Sequence, residues 1–161
     1  MAIKTKKVVG RRTLYFKNLD EIIEEAGRLN AVEVRSLGNW SYAQIMSHLA
    51  KTMDLSIDGT DFVASWTMRF FGKRKKHYAV HAPMKPGMKL PAKLAQAVAP
   101  DRKSRSMDES FDLLKEAVER LKNEPNRAAH PIFGELTRDE WDKLHQRHAE
   151  LHLSFLVPVR Q

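Results

Sequence analysis

The sequence predicts an all-α fold, a four-helix bundle formed by a single domain, and three observations support this prediction. Four segments place their apolar residues at helical spacing, and residues typical of helix termini flank each of them. One long connection joins the second and third segments, as in bundles that contain a crossover. The length of 161 residues suits one globular domain and is short for two.

The first two predicted helices run from about Leu19 to Leu29 and from about Ser41 to Ile57. Asn18 can cap the first helix. The second begins with the capping-box pattern of residues 41–44, and Gly59 is a favourable end for it. In both segments apolar residues recur every three or four positions, so each helix should turn one apolar face to the interior.

The third and fourth predicted helices lie in the C-terminal half of the chain. The third runs from about Met107 to Lys122, and Pro125 follows its end. The fourth starts with the capping box of residues 137–140, where Asp139 and Glu140 suit the positive end of the helix dipole. We expect Pro158 to close this helix. Its apolar stripe consists of Trp141, Leu144, Leu151 and Phe155.

The connection from about Thr60 to Ser106 carries most of the positive charge. Its part from Lys73 to Arg105 has ten Lys or Arg and one Asp, whereas the whole chain has a net charge of +8. Residues 62–71 are apolar enough to form a short helix. Prolines are frequent in the remainder, so we expect an extended crossover that has room for one helical turn.

Two interpretations of this basic segment stay open. A solvated surface loop is the simpler one, and we favour it. Alternatively, the segment forms a rim that attracts an anionic substrate, or it touches nucleic acid. His77 and His81 are four residues apart within it, but prolines follow soon after, and we expect no second metal site there.

The composition excludes several classes of protein. The chain contains no cysteine, so it has neither disulfides nor a thiolate metal site, which fits a reducing compartment. No window approaches the roughly 20 apolar residues of a membrane-spanning helix, and no signal peptide is recognisable. We therefore expect a soluble, cytoplasmic protein with no membrane partner. A Gly-rich phosphate loop is also absent, so nucleotide-dependent chemistry has no support.

Three histidines, His145, His148 and His152, lie within about 60° of one another on the fourth predicted helix. They share the face of Trp141 and Leu151, which this helix should bury. An imidazole buried without a partner costs about 1–3 kcal/mol, so these side chains need partners. A divalent metal ion satisfies them, because neutral imidazole is a common metal ligand.

His48 on the second helix is the best candidate for a third ligand, since it shares a face with Ile45 and Leu49. Three histidine ligands plus water would leave open positions, as catalytic sites do. The alternative is a set of buried or boundary histidines with ordinary hydrogen bonds. The zinc-protease motif is absent, because Glu150 lies about 160° to 200° from His148 and His152 around the helix and is expected to face solvent.

Further residues are candidates for the pocket. His145 lies one turn before the ligand pair, where it can line the pocket or substitute for a ligand. His130, in the loop before the fourth helix, can act in proton transfer, although a turn or capping role is more common. The three tryptophans are expected in the core or the pocket wall rather than as cofactor platforms; they are Trp40, Trp66 and Trp141.

Two blocks of this sequence resemble one known superfamily. The stretch Gly38–Leu49 resembles the second helix of the DinB-like, or YfiT-like, bundle proteins, which are regarded as metalloenzymes. The segment Trp141–His152 resembles their closing helix. The longer pattern that joins residues 130–137 to residues 148–155 is similar to an uncharacterised branch of that superfamily. The resemblance covers about residues 11–158 and is weak in the basic crossover.

This resemblance implies a fold and a metal site. The fold is an up-down-down-up four-helix bundle with a long crossover between helices two and three. It would occupy residues 1–161 as one domain, with residues 1–10 as a flexible lead-in. The metal, which would be zinc, nickel or iron, would be held by one histidine from helix two and two from helix four. In this sequence those residues are His48, His148 and His152.

The resemblance also implies a class of reaction. Characterised relatives include thiol transferases and a thiol-dependent maleylpyruvate isomerase, so the expected substrates are a small-molecule thiol and an electrophile. A bound metal would lower the pKa of the thiol. The alternatives are a non-catalytic, stress-related bundle that binds metal or another ligand and, more remotely, a basic nucleic-acid-binding protein. The apolar stretch 62–71 is a candidate surface for a homodimer.

Overall fold

The computed structural model describes residues 2–100 and 105–159, and this part of the chain is mostly helical. It contains six α-helices: α1 (Leu19–Asn30), α2 (Tyr42–Asp58), α3 (Trp66–His81), α4 (Ala92–Ala97), α5 (Met107–Asn123) and α6 (Arg138–Leu153). A short 3-10 helix covers Thr5–Lys7. Strands β1 (Val34–Ser36) and β2 (Leu156–Pro158) form an antiparallel pair. The four predicted helices correspond to α1, α2, α5 and α6.

The main apolar core lies between α1, α2, α5 and α6. Helices α1, α2 and α5 contribute residues of the stripes that the sequence predicts, and full burial of one Leu or Ile stabilises the fold by about 1.5–3 kcal/mol. The prediction for α6 was wrong, because this helix gives Ala149 and Leu153 to the main core, while Trp141 and Leu144 pack in a second cluster with Val80 and Leu136. The fully buried side chains include Ile22, Leu29, Met46, Leu49, Leu114, Leu121 and Leu153. Within the described residues, no helix has both the length and the apolar character needed to cross a bilayer.

The predicted helix starts are confirmed by their hydrogen bonds. The side chain of Asn18 accepts from the Glu21 amide, and Ser41 and Thr137 form complete capping boxes. Gly59 ends α2 with a φ of 80°, a left-handed conformation that glycine adopts without steric cost. The caps fix the residues at which α2 and α6 begin and therefore determine which side chains these helices turn inward.

The crossover differs from the extended form that the sequence predicts. Instead of a short helix over residues 62–71, α3 covers 16 residues and includes the basic run 73–76. Ser65 caps it through the Met68 amide, Lys and Arg are good helix formers, and no proline occurs before Pro83. A second helix, α4, follows the first prolines. The end of the predicted basic crossover, residues 101–104, lies outside the described residues.

The prediction that Pro158 closes the fourth helix was wrong. The helix α6 ends at Leu153, and Pro158 belongs to β2, opposite Val34 of β1. The chain turns after α6, and the Ser154 carbonyl oxygen in this turn accepts a hydrogen bond from the Arg12 amide over 3.0 Å. The C-terminal segment is therefore tied to both the N-terminal segment and the link between α1 and α2.

Replacement of Leu114 by Ala should lower the free energy of unfolding by about 2–5 kcal/mol, because Leu114 is fully buried in the main core and the change leaves a cavity. Urea unfolding followed by circular dichroism measures this loss. Leu90→Ala is the matched control, since Leu90 is 38% exposed and should change stability by no more than about 0.5 kcal/mol. Equal losses in the two variants would contradict the assignment of the core.

Candidate metal centre

Two helices of the main bundle bring three histidines together. His48 lies near the middle of α2, and His148 and His152 lie in the second half of α6. One ring nitrogen of each lies within 4.8 Å of the corresponding nitrogen of the other two. The structure thus juxtaposes the three residues expected to act as ligands. That they bind a metal stays a prediction.

A carbonyl group of the crossover orients the ring of His48. The Nδ1 atom of His48 lies 2.5 Å from the carbonyl oxygen of Val98, the residue that follows α4. A carbonyl can only accept, so Nδ1 carries the proton and Nε2 keeps a free lone pair. Metal-binding histidines in proteins characteristically donate their second ring N–H in this way.

The ring of His148 has a similar, weaker arrangement. Its Nδ1 atom lies 3.5 Å from Oγ1 of Thr52, whose hydroxyl donates to the Leu49 carbonyl over 2.8 Å. The Nε2 atoms of His148 and His48 lie 3.1 Å apart. A proton on Nε2 of His148 makes an ordinary hydrogen bond to the lone pair of His48 over this distance. With the proton of His148 on Nδ1 instead, Oγ1 of Thr52 accepts it, and the two Nε2 lone pairs face each other with room for a cation between them.

Burial keeps all three imidazoles neutral. It lowers the pKa of His48 and moves the pKa of His148 well below the ordinary value, and for His148 the neighbouring histidines act in the same direction. Burial also lowers the pKa of His152 to about 3, with smaller contributions from His48 and the positive charge of Arg11. Neutral imidazole is the form that binds metal ions, so the cluster is ready for ligation at pH 7.

Trp40 forms one wall of the cluster. Its ring stacks on His152 with 5.2 Å between centroids and 17° between planes, and it lies 4.7 Å from the ring of His48. The expectation that this tryptophan lines the core or the pocket is confirmed. Trp141 is also buried, whereas the same expectation was wrong for Trp66, which is 77% exposed on α3.

The donor set fits a divalent ion that prefers nitrogen ligands. Two nitrogens bound to one tetrahedral zinc at about 2.0–2.1 Å lie about 3.3 Å apart. The 3.1 Å between the facing Nε2 atoms of His48 and His148 is close to this value. His152 adds a third donor, and no carboxylate belongs to the cluster among the described residues. The arrangement therefore offers three neutral ligands and leaves coordination positions open.

His145 lies outside this cluster. Its Nε2 atom is 3.0 Å from Oγ of Ser56, whose hydroxyl donates to the Met53 carbonyl, and its ring stacks on Trp141 with 5.4 Å between centroids. Burial lowers the pKa of His145 to about 3. Its polar edge has a protein partner, so the geometry gives no support to the expectation that it substitutes for a ligand.

His130 adopts the turn role, the more common of the two roles expected for it. Its Nδ1 atom accepts hydrogen bonds from the amides of Ile132 and Phe133, both over 3.1 Å. Its ring stacks on Phe133 and also contacts Trp141. Because Nδ1 is engaged in the turn, the geometry does not support a proton-transfer role for this atom.

The prediction that Glu150 faces solvent was wrong. Its side chain is buried, accepts from the Phe16 amide over 2.6 Å and pairs with Arg147 over 2.6 Å. Arg147 in turn donates to the Phe16 carbonyl. The residues before α1 cover this face of α6, and a helical wheel of α6 alone contains no sign of that contact. The buried pair instead links α6 to the N-terminal segment.

His77 and His81 both lie on α3, one turn apart, with 4.3 Å between ring centroids. Pro83 and Pro86 follow beyond the end of this helix. Within the part of the chain that the structure describes, no third donor joins them in a metal-binding group.

Comparisons with known proteins add one finding. The sequence profile of a family described as "Protein of unknown function (DUF1569)" matches residues 8–159. No curated protein and no solved structure matches the chain. The match covers almost the whole chain, including all three clustered histidines, and it carries no description of activity.

We expect the protein to lose stability in acid partly because burial lowers the pKa of His130 to about 4. The folded state favours the neutral ring, so this contribution is complete above pH 6.5 and is lost as the pH falls towards 4. We therefore expect the free energy of unfolding, measured in urea between about pH 7 and pH 5, to change less steeply with pH in His130→Asn than in the wild type. The difference corresponds to at most one proton taken up on unfolding, because the Asn amide oxygen can accept in the turn without titrating. An unchanged pH slope in His130→Asn would contradict the assignment of this loss to His130.

Proposed function

We propose that this chain, which belongs to the DUF1569 family of proteins of unknown function, is a divalent-metal-dependent enzyme of the DinB-like kind. One observation carries the proposal. The Nε2 atoms of His48 and His148 face each other at 3.1 Å while the Nδ1 atom of each ring has an acceptor nearby. The space between them suits a cation, and His152 supplies a third nitrogen.

The arrangement of the helices supports kinship with the DinB-like superfamily. The helices α1, α2, α5 and α6 surround one core, and the long connection lies between the second and third of them. The two resembling sequence blocks fall on α2 and α6, the helices that carry the clustered histidines. We extend the proposal to a single up-down-down-up bundle domain in a cytoplasmic protein.

We assign His48, His148 and His152 as the ligands of one zinc, nickel or iron(II) ion. Such an ion, when bound, would act as a Lewis acid that lowers the pKa of a thiol ligand. The residues of the chain orient the ligands: Val98 O holds His48, Thr52 contacts His148, and Trp40 stacks on His152. The hydrogen bond to Val98 O already orients the ring of His48 with Nε2 available, which limits the entropic cost of ligation by this residue.

The charges around the cluster favour an anionic substrate such as a thiolate. The positive charge of Lys51 acts to lower the pKa of His48, and that of Arg11 lowers the pKa of His152, so both cations lie within electrostatic reach of the cluster. No carboxylate joins the histidines within the described residues. A divalent ion held by three neutral rings would keep its full charge and would stabilise an anionic ligand.

A non-catalytic metal-binding bundle is the alternative, and one observation favours it. His130 and His145, the two residues expected in the pocket, have ring nitrogens engaged by a turn and by Ser56. Neither is placed as a proton donor or acceptor beside the three clustered histidines. A thiol-dependent reaction would then have to rely on the metal, the thiol and solvent for its proton transfers.

Purified protein without a tag should contain about one divalent ion per chain when measured by elemental mass spectrometry. The variants His48→Ala and His148→Ala should lose it, because each removes one of three donors from the cluster. His81→Ala, which removes an exposed histidine of α3, is the matched control and should keep the wild-type content. Protein that holds no metal, and takes none up from zinc, nickel, iron and cobalt salts, would refute the proposal.

The metal-loaded protein should catalyse the addition of a small thiol to an electrophile, and the metal-free protein should not. We expect His148→Ala to lower the rate at least about 100-fold, the upper end of the loss seen when metal-site support is removed. A spectrophotometric screen that pairs several thiols with an electrophilic nitroarene or a maleyl compound measures this. Stoichiometric metal binding without turnover of any pair would favour the non-catalytic alternative.

A further inference from the structure

The start of α3 exposes an unusual group of apolar side chains. Val63 is 81% exposed, Trp66 77%, Phe70 45% and Phe71 60%. Trp66 and Phe70 stack with 5.9 Å between centroids, and Phe71 meets Phe70 edge-on. The three aromatic residues thus form one exposed group, and exposed Val63 lies three residues before Trp66 in the chain. We call these four residues the α3 tip. Patches of this kind mark interaction surfaces on proteins.

The packing of α3 on the body of the protein fixes the direction of this patch. Gly72 is buried against the turn before α6, and a Cβ atom there would lie 2.4 Å from the Ile132 carbonyl oxygen. Trp66 and Phe70 lie about 120° to 160° around the helix axis from Gly72. They therefore point away from the body, and the close approach at Gly72 holds the helix in that orientation.

Cations follow the patch directly along the helix. Lys73, Arg74 and Lys75 are exposed in the turn after Phe71, and the Arg74 guanidinium lies 5.6 Å from the Phe70 ring centroid. From residue 62 to residue 100 the sequence has eight Lys or Arg and no Asp or Glu. The cations thus adjoin the apolar residues and partly overlap them, since exposed Arg69 lies between Trp66 and Phe70 in the sequence. No carboxylate within this segment offsets the positive charge, although Lys76 pairs with Glu140 of α6.

We propose that the α3 tip docks on the surface of a bilayer rich in anionic phospholipid. Trp and Phe side chains are suited to the boundary between headgroups and acyl chains, which interfacial segments enter by about 5–10 Å. Four apolar residues at the start of the helix insert, and the cations of the next turn contact the lipid phosphates. Such a contact lies at the membrane surface and does not span the bilayer. It differs from the expectation of no membrane partner, which was based only on the lack of a membrane-spanning helix and of a signal peptide in the sequence.

The observations favour a lipid surface over nucleic acid. Val63, the most exposed member of the patch, cannot stack on a base. Single-strand binding surfaces place aromatic side chains along a basic groove, whereas here the aromatic residues lie at the exposed start of one helix.

A second copy of this chain fits the patch less well. A two-fold contact between identical tips would bring Arg69, Lys73 and Arg74 near the same residues of the other copy. The segment 62–100 has no carboxylate to neutralise them. Like charges at short distance oppose such a dimer, whereas an anionic bilayer attracts the same cations.

Flotation of the full chain with lipid vesicles tests the proposal. Binding is expected to vesicles made of phosphatidylglycerol and phosphatidylcholine in equal parts, and not to phosphatidylcholine alone. Binding should weaken about tenfold or more in the double variant Trp66→Ala with Phe71→Ala. A similar loss is expected in the double variant Lys73→Gln with Lys75→Gln, because each cation near the surface strengthens binding about fivefold. The matched control Lys17→Gln with Lys115→Gln removes two exposed lysines elsewhere and should bind as the wild type does.

A second measurement reports insertion independently of variant folding. The emission of exposed Trp66 should shift to the blue on the anionic vesicles, and Trp66→Phe should lose this shift while it still floats. Failure to bind anionic vesicles would overturn the proposal, as would binding that does not depend on the aromatic residues. A dimer in solution that buries the tip, or tighter binding to a single-stranded oligonucleotide through the same residues, would also overturn it. Loss of metal in His148→Ala should leave flotation unchanged.

Discussion

The placement of three neutral imidazoles between α2 and α6 is the constraint on which the rest of this structure depends. His48 is buried, and His148 and His152 are half-buried. The ring nitrogens need partners, and the chain supplies two of them. The crossover brings Val98 O to His48, and α2 places Thr52 beside His148, whereas Trp40 stacks on the face of His152. The facing Nε2 atoms of His48 and His148 lie 3.1 Å apart, and a bound cation would replace the hydrogen bond between them.

The rotation of α6 about its axis decides whether its histidines reach α2, and contacts on the opposite face fix that rotation. Glu150 and Arg147 form a buried pair and bind the backbone of Phe16 from both sides. Removing one member of such a pair would leave an uncompensated buried charge, at a cost of about 3–5 kcal/mol. The N-terminal segment thus supports the histidine cluster structurally through Phe16, which does not itself line the cluster.

The sequence predicted those features that local patterns determine. Caps and apolar stripes located α1, α2, α5 and α6, and the i, i+4 pair on α6 together with His48 identified the cluster. Features that depend on distant contacts were missed. Glu150 is buried by a segment far away in the chain, and the Val98 carbonyl is a backbone group without any residue signature. The length of α3 was missed because prolines beyond it were given more weight than the helix propensity of its lysines.

Anomalous diffraction from a crystal grown with zinc, recorded on both sides of the zinc absorption edge, tests directly whether the three histidines hold a metal ion. We expect one strong anomalous peak within about 2.0–2.1 Å of a ring nitrogen of each of His48, His148 and His152, with Val98 O still accepting from His48. A map without a peak at this position, in which His48 and His148 share a proton through a direct hydrogen bond, would contradict it.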